Sequence, residues 1–251
     1  MKKWITFDLD ETLMQNPFGK WVFPEVENLV SSFHIKDGIL KKIRNEHKRR
    51  MDQQKLRDAY DWDNIIKQVL REEGIQLEIN IESLVRKHSI PPKVYLLEEN
   101  LLNTLDRVKQ KGFSLGVVTN GFYKYQFPVM ESIGLADVMD MIVTPCQTDC
   151  AKPDISMVKR LPGEGEIVAH VGDRLDHDVS FANELGIQSI LIDREMPEEM
   201  RKLAPVNRAQ QTEYVEKLFK KGIYRDLQFE KKYIPNIIIH SIYELLEKEM
   251  S

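Results

Sequence analysis

Six short, nearly unbroken apolar runs punctuate the chain, at positions 4–9 (WITFDL), 113–119 (FSLGVVT), 139–144 (MDMIVT), 167–172 (IVAHVG), 188–193 (QSILID) and 236–240 (NIIIH). A run that is apolar at consecutive rather than alternate positions suits a strand buried on both faces, the condition of a parallel sheet. Between several of these runs the apolar period lengthens. Within 98–111, Leu101, Leu105 and Val108 follow the i, i+4, i+7 spacing of a helix with one buried face. Positions 180–185 and 241–248 also read as helical. Strands alternating with helices predict βαβ units, hence an α/β fold built on a doubly wound parallel sheet.

Two stretches break the alternation. Positions 24–92 are charged, poor in strand pattern and rich in helical spacing, and Pro91-Pro92 marks their end. They predict a helical domain inserted between the first and second core strands, leaving 1–23 and 93–251 as the core. The second stretch, 195–233, separates the last two strands and reads as an appended, mostly helical element. Its part 195–221 reads as one helix, with Pro197 near the start and Gly222 just past the end. The segment 14–23, with Asn16-Pro17 and Gly19, reads as a turn or small hairpin.

Composition narrows the function classes. Of 251 residues, 42% are apolar and 30% charged, and the net charge is −4, ordinary for a globular protein and unlike the basic surfaces that nucleic-acid polymers or membranes select. No apolar run approaches the ~20 residues of a membrane span, and the N-terminal run stops at Asp8, too early for a secretory leader. A cytoplasmic location is therefore expected. The basic run His47-Lys48-Arg49-Arg50 is followed by Asp52, Asp58, Asp61 and Asp63, so it reads as a solvated helix face. Trp21, Phe23, Tyr60 and Trp62 could stack on a base, but amphipathic helix packing accounts for them first. Cys146 and Cys150 form neither a disulfide framework nor a zinc set and read as reduced thiols. Oligomeric state leaves no mark on the sequence.

The sharpest chemical signal is Asp8-Leu9-Asp10-Glu11-Thr12 at the end of the first apolar run. Carboxylates two apart on an extended chain project to the same side. The carboxyl ends of strands are where open α/β sheets bind ligands. Two close like charges are costly unless something binds them, and a hard divalent cation is the natural answer.

The segment FDLDETL resembles the first motif of the haloacid dehalogenase-like hydrolase superfamily, and three further motifs of that superfamily follow in order. Val117-Val118-Thr119-Asn120-Gly121 matches the second, Ala151-Lys152-Pro153-Asp154 the third, and Gly172-Asp173 through Asp178 the fourth. The resemblance spans roughly 1–15 and 98–193 and implies a magnesium-dependent phosphohydrolase of the branch with a helical cap between the first two motifs. It implies Asp8 as nucleophile and Asp10 as acid and base. Thr119, Asn120 and Lys152 would grip the phosphate. Magnesium would be held by Asp8, the main-chain carbonyl of Asp10 and Asp173, with Asp178 as the supporting acid. Asp176 and His177 receive no role, Arg174 reads as a salt-bridge partner and His170 as a satisfied core histidine.

The expected substrate is a small phosphorylated metabolite, a nucleoside monophosphate or a sugar phosphate, since the stretch TNGF is similar to nucleotidase-like members. Alternatives are a phosphosugar mutase, which shares the motif set, a dehalogenase, which has no need of the second carboxylate Asp10, and a catalytically idle binding module.

Overall fold

In the computed structural model, which describes residues 1–158, 165–222 and 227–247, every one of the six apolar runs contains a strand. The strands in chain order are β1 (Lys2–Phe7), β2 (Met14–Gln15), β3 (Tyr95–Leu96), β4 (Phe113–Val118), β5 (Met141–Val143), β6 (Gly165–Gly172), β7 (Gln188–Ile192) and β8 (Ile237–Ile239). Six of them form one sheet in the order β5-β4-β1-β6-β7-β8, and its pairings are all parallel. Ile5, Phe7, Leu115, Val117 and Val171 are fully buried, as strands covered on both faces require. The doubly wound α/β fold expected from the sequence is the fold observed.

The chain order reverses beside β1, which has β4 on one side and β6 on the other. Phe7 pairs with Val117 and with Val171, so the carboxyl ends of these three strands lie level. That switch point is the crevice such sheets use for ligands, and the register delivers Asp8, Thr119 and Asp173 to it.

Between β2 and β3 the chain is helical: Phe23–Leu29, Ile39–Asp52, Leu56–Ala59, Trp62–Glu72 and Ile81–His88. Asp61 caps the fourth of these through Asn64 N at 3.2 Å, and Asn80 caps the fifth through Ser83 N at 2.8 Å. Ile65, Ile66, Val69 and Leu70 bury one face of Trp62–Glu72. Both passages between this insertion and the sheet run through the antiparallel pair β2–β3. The turn expected at 14–23 is thus half of a ribbon whose partner is β3, followed by a wide turn at Phe18–Val22.

Three expectations need correction. The single helix at 195–221 is three: Glu198–Arg201, Pro205–Ala209 and Thr212–Gly222. Pro205 offers no N–H to a preceding turn and holds Ala204 extended (φ −62°, ψ 146°), so it starts a helix rather than continuing one. Part of the appended element, 223–226, lies outside the described residues. The helix at 241–248 is a short 3-10 turn, Ile242–Leu245, and position 248 lies outside the described residues. Here Ser241 caps Tyr243 N at 3.1 Å and Glu244 turns inward to Arg208.

The third correction is the basic run at 47–50, which is only partly a solvated face. Arg50 is 4% exposed and bonds Glu46 (2.7 Å), Asp58 O (2.9 Å), Asn64 and Gln68 (2.8 Å each). It links the helix Ile39–Asp52 to Trp62–Glu72, a non-local partnership that charge spacing does not reveal. No helix among the described residues is long and apolar enough to cross a membrane.

Candidate active site

Past Phe7 the ladder continues for one bond, Asp8 N to Val171 O at 2.9 Å, and then the chain turns. Thr12 N, Leu13 N and Met14 N all donate to Leu9 O, and Glu11 adopts φ +59° to allow the turn. This loop carries Asp8 and Asp10 into a cavity of about 610 Å³ that Thr119, Asn120, Lys152, Asp173 and Asp178 also line. The seven residues expected to form the site therefore line one space.

Lys152 is the hub. Its ammonium lies 2.7 Å from Asp8 Oδ1 and 2.5 Å from Asp178 Oδ1, with the side chain 2% exposed. Asp178 is held at both oxygens: Oδ1 also meets His170 Nε2 at 3.1 Å, and Oδ2 accepts from Arg174 N at 3.0 Å. His170 in turn meets Thr6 Oγ1 through Nδ1 at 2.9 Å. It is a satisfied core histidine, as expected, but one that buttresses Asp178. Gly172 leaves room for this arrangement, since a Cβ there would stand 2.1 Å from Asp178 Cγ. Asp178 sits in the wide, π-type turn Leu175–Val179, a distortion frequent at functional sites. Arg174 pairs with Asp176 at 2.7 Å.

At the end of β4, Thr119 N donates to Val143 O and Thr119 Oγ1 accepts from Gly121 N at 3.2 Å. The Asn120 side chain clasps the main chain of Lys152, accepting from its N at 2.7 Å and donating to its O at 3.1 Å. Asp10 turns its Oδ2 to Gln126 Nε2 at 2.7 Å.

The charges do not balance. One carboxylate oxygen each from Asp8, Asp173 and Asp178 lie within 4.8 Å of one another; Lys152 is the cation that Asp8 and Asp178 share, and Asp173 feels the charges of Arg174 and Lys152 from nearby. Burial pushes the Asp8 carboxyl up to about 7, with Lys152 opposing and Asp178 and Asp10 adding to the rise. Burial, then Asp178 and Asp8, push Asp173 well above the carboxylate range. Burial would raise Asp178 too, but the charge of Lys152 and the bond from His170 outweigh it and hold Asp178 far below that range. Burial would strip the proton from Lys152, and Asp178 and Asp8 together keep it on. A largely buried, oxygen-only donor set with surplus negative charge suits a hard divalent cation such as magnesium. The carboxylate of Asp10 is not among the three that converge. It is also raised by burial, with the Asn16 and Gln126 amides pulling the other way.

A family model described as a haloacid dehalogenase-like hydrolase matches residues 2–186, a span that holds every one of these side chains. The chain belongs to the haloacid dehalogenase-like hydrolases. Within that family it is 27% identical over 203 residues to a glyceraldehyde 3-phosphate phosphatase of Methanocaldococcus jannaschii, covering 76% of this chain and 85% of the relative. It is 30% identical over 107 residues to a ribulose-1,5-bisphosphate 5-phosphatase of Halopiger xanaduensis, a match covering 39% of this chain and 45% of that protein's length. Among solved structures, a HAD phosphatase from Thermococcus onnurineus superposes with a TM-score of 0.62 at 23% identity, covering 98% of this chain and 97% of the other. The L-2-haloacid dehalogenase of Xanthobacter autotrophicus gives 0.57 at 15%, covering 98% of both, so these two likenesses speak for the fold alone. This haloacid dehalogenase-like hydrolase is thus an enzyme of the phosphatase type, in line with the sequence expectation.

Sequence reasoning missed several residues of the site. Phe18 reaches the cavity from the turn after β2, Tyr60 and Trp62, read first as helix packing, reach it from the insertion, and Tyr125 and Gln126 from the helix Tyr123–Ser132. The aromatic residues do pack on one another, with Phe18 and Tyr125 edge-to-face at 5.7 Å. Periodicity reported that packing correctly, but not that the cluster borders the acids. For Gln126 the cue was a polar residue on the buried face of a helix just after TNG.

Proposed function

We propose that this enzyme is a magnesium-dependent phosphatase of small phosphorylated metabolites, sugar phosphates first, working through an aspartyl-phosphate on Asp8. The observation that carries the reading is the packing of Asp8 against Lys152, beside Asp173 and Asp178, in a cavity sized for a small ligand. Sugar phosphates come first because the two curated relatives compared above are named for them. The aromatic wall of Phe18, Tyr60 and Trp62 keeps nucleoside monophosphates in the test.

In this reading Asp8 attacks phosphorus in line while Asp10 gives a proton to the leaving oxygen, and Asp10 then takes a proton from the water that hydrolyses the intermediate. Thr119, the Asn120 main-chain amide and Lys152 hold the phosphoryl oxygens. Asp178, braced by His170 and the Arg174 amide, fixes the Lys152 ammonium, and Asn120 fixes its main chain. Magnesium between Asp8, Asp173 and the Asp10 carbonyl would supply the further positive charge that an anion approaching carboxylates needs. We take residues 1–23 with 93–251 as the catalytic core and 24–92 as a cap that excludes water over the substrate. Asp63 ties the two together, accepting from Lys124 Nζ at 2.5 Å and from the Tyr125 hydroxyl at 2.9 Å.

The test is phosphate release from a panel of sugar phosphates, nucleoside monophosphates and p-nitrophenyl phosphate, with magnesium or with EDTA. Release from at least one sugar phosphate should need magnesium and fall ~10⁴-fold or more in Asp8→Asn, the scale of losing a nucleophile. Undiminished turnover by that variant, or by the EDTA-treated enzyme, would overturn the reading.

A further inference from the structure

Asp10 has one oxygen held and one open. Its Oδ2 accepts from Gln126 Nε2 at 2.7 Å, whereas Oδ1, buried, meets no donor within hydrogen-bond geometry among the described residues, the Asn16 amide lying near the same carboxyl without such a bond. The same Nε2 lies 3.5 Å from Thr119 Oγ1, so one amide spans the first and second motif loops. Gln126 is 3% exposed and has little room to move. A Cβ on Gly121 would stand 2.1 Å from its Nε2 and 2.7 Å from its Cδ and Cγ, so the side chain lies directly against the bare glycine backbone. Next to it in sequence, the Tyr125 hydroxyl donates to Asp63 Oδ2 and accepts from Asp63 N at 3.0 Å, which holds the start of this helix against the insertion.

We propose that Gln126 is a positioning residue for Asp10, clamping Oδ2 so that Oδ1 is the oxygen that meets the leaving group. An NH₂ group donates and cannot accept, so the oxygen it holds remains the acceptor. As the P–O bond breaks, its electron pair stays on the leaving oxygen and the proton passes to that oxygen from Oδ1. Without the clamp Asp10 can turn about its side-chain torsions and the acid is misplaced, while Asp8 and Lys152 keep their partners and the phosphate loop loses only the long 3.5 Å approach to Thr119 Oγ1, a loss common to every substrate. The inference rests on the phosphatase reading above.

Leaving-group dependence separates positioning from packing. A p-nitrophenolate departs without an acid, while an alkoxide does not. The experiment measures kcat/KM of the magnesium-loaded wild type, Gln126→Leu and Gln126→Met on p-nitrophenyl phosphate and on the best sugar phosphate of the panel. This parameter covers steps only through formation of the aspartyl-phosphate, so the later hydrolysis does not enter. Misplacing a catalytic group by about 1 Å costs about 10²-fold, which is the fall expected on the sugar phosphate. On p-nitrophenyl phosphate the fall should stay under about threefold. The ratio of the two values on one preparation is independent of how much of the variant is folded, so poor folding does not blunt the test. Equal losses on both substrates, or no loss on the sugar phosphate, would overturn the role given to Gln126 while leaving the phosphatase reading intact. A wild type that hydrolyses neither substrate would overturn both.

Discussion

Two of the buried cations among the described residues, Arg208 and Lys152, are treated in opposite ways. Arg208, 2% exposed, ties the appended element to β8 and the C-terminal turn. It donates twice to Glu244 at 2.9 Å, to Ile238 O at 3.0 Å, to Arg201 O at 2.9 Å and to Met200 O at 3.1 Å. Each guanidinium N–H has an acceptor, and the guanidinium charge meets one carboxylate. Lys152 is as deeply buried, yet it faces Asp8 and Asp178 with Asp173 close by. The first arrangement is closed and needs nothing more. The second is open: it carries surplus negative charge, and burial with mutual repulsion drives Asp8 and Asp173 towards protonation. Burial of charge alone is therefore a poor guide to function, and an incomplete balance is a better one.

If Arg208 is a closed strut, removing it leaves Glu244 buried and alone. Arg208→Met should cost ~3–5 kcal/mol in urea unfolding, the range for breaking a buried pair from one side, and Glu244→Leu added to it should recover most of the loss. Arg208 does not line the cavity, so the folded fraction should keep its turnover. A loss below about 1 kcal/mol, the scale of an exposed pair, would break the comparison on this side.

The open site should respond with the opposite sign. Asp173→Asn removes a carboxyl that burial and its neighbours disfavour when charged, so the metal-free protein should unfold at a higher midpoint than wild type. Its phosphatase activity should nevertheless fall by ~10²–10³-fold, about 3–4 kcal/mol of transition-state stabilisation. Scanning calorimetry in EDTA reads the first effect and steady-state turnover in magnesium the second. A lowered midpoint would mean that Asp173 is structurally satisfied and the site closed after all.

How far all this was legible follows from whether each signal is local. A parallel strand buried on both faces writes itself into consecutive residues, so the six strands could be read from runs of Val, Ile and Leu. The acids could be read because their motifs sit at strand ends, and the sheet register then gathers strand ends at one edge, whereas Lys152 lies past the helix Pro145–Thr148 that follows β5 and could be read only from the resemblance. Arg50 and Arg208 look like surface residues in sequence, since apart from Glu46, four before Arg50, their partners lie 7–36 positions away. Gln126 lies 116 positions from Asp10, and nothing near it announces an acceptor. The break at Pro205 was the exception, a local signal that the long 195–221 pattern obscured. The fold's layers were thus written in periodicity, while the clamps that orient Asp10 and Lys152 were written only in the tertiary structure.

The smallest expected effect tests the closed side by pH. Burial would raise the Glu244 carboxyl above its ordinary 4.5, but the bonds from Arg208 and His240 N, with the charges of Arg208 and His240, hold it below that value. A carboxyl whose folded value is depressed binds fewer protons in the folded chain than in the unfolded one just below the ordinary value. The stability it contributes is therefore complete above pH 4.5 and drains away as the pH falls through the folded value. Glu244→Gln keeps the shape but cannot titrate, so its unfolding midpoint should be lower than wild type at pH 7 and the gap should close as the solution is acidified below 4.5. A constant gap across that window would mean that Glu244 contributes shape rather than charge, and the contrast with the lysine site would then rest on Arg208 alone.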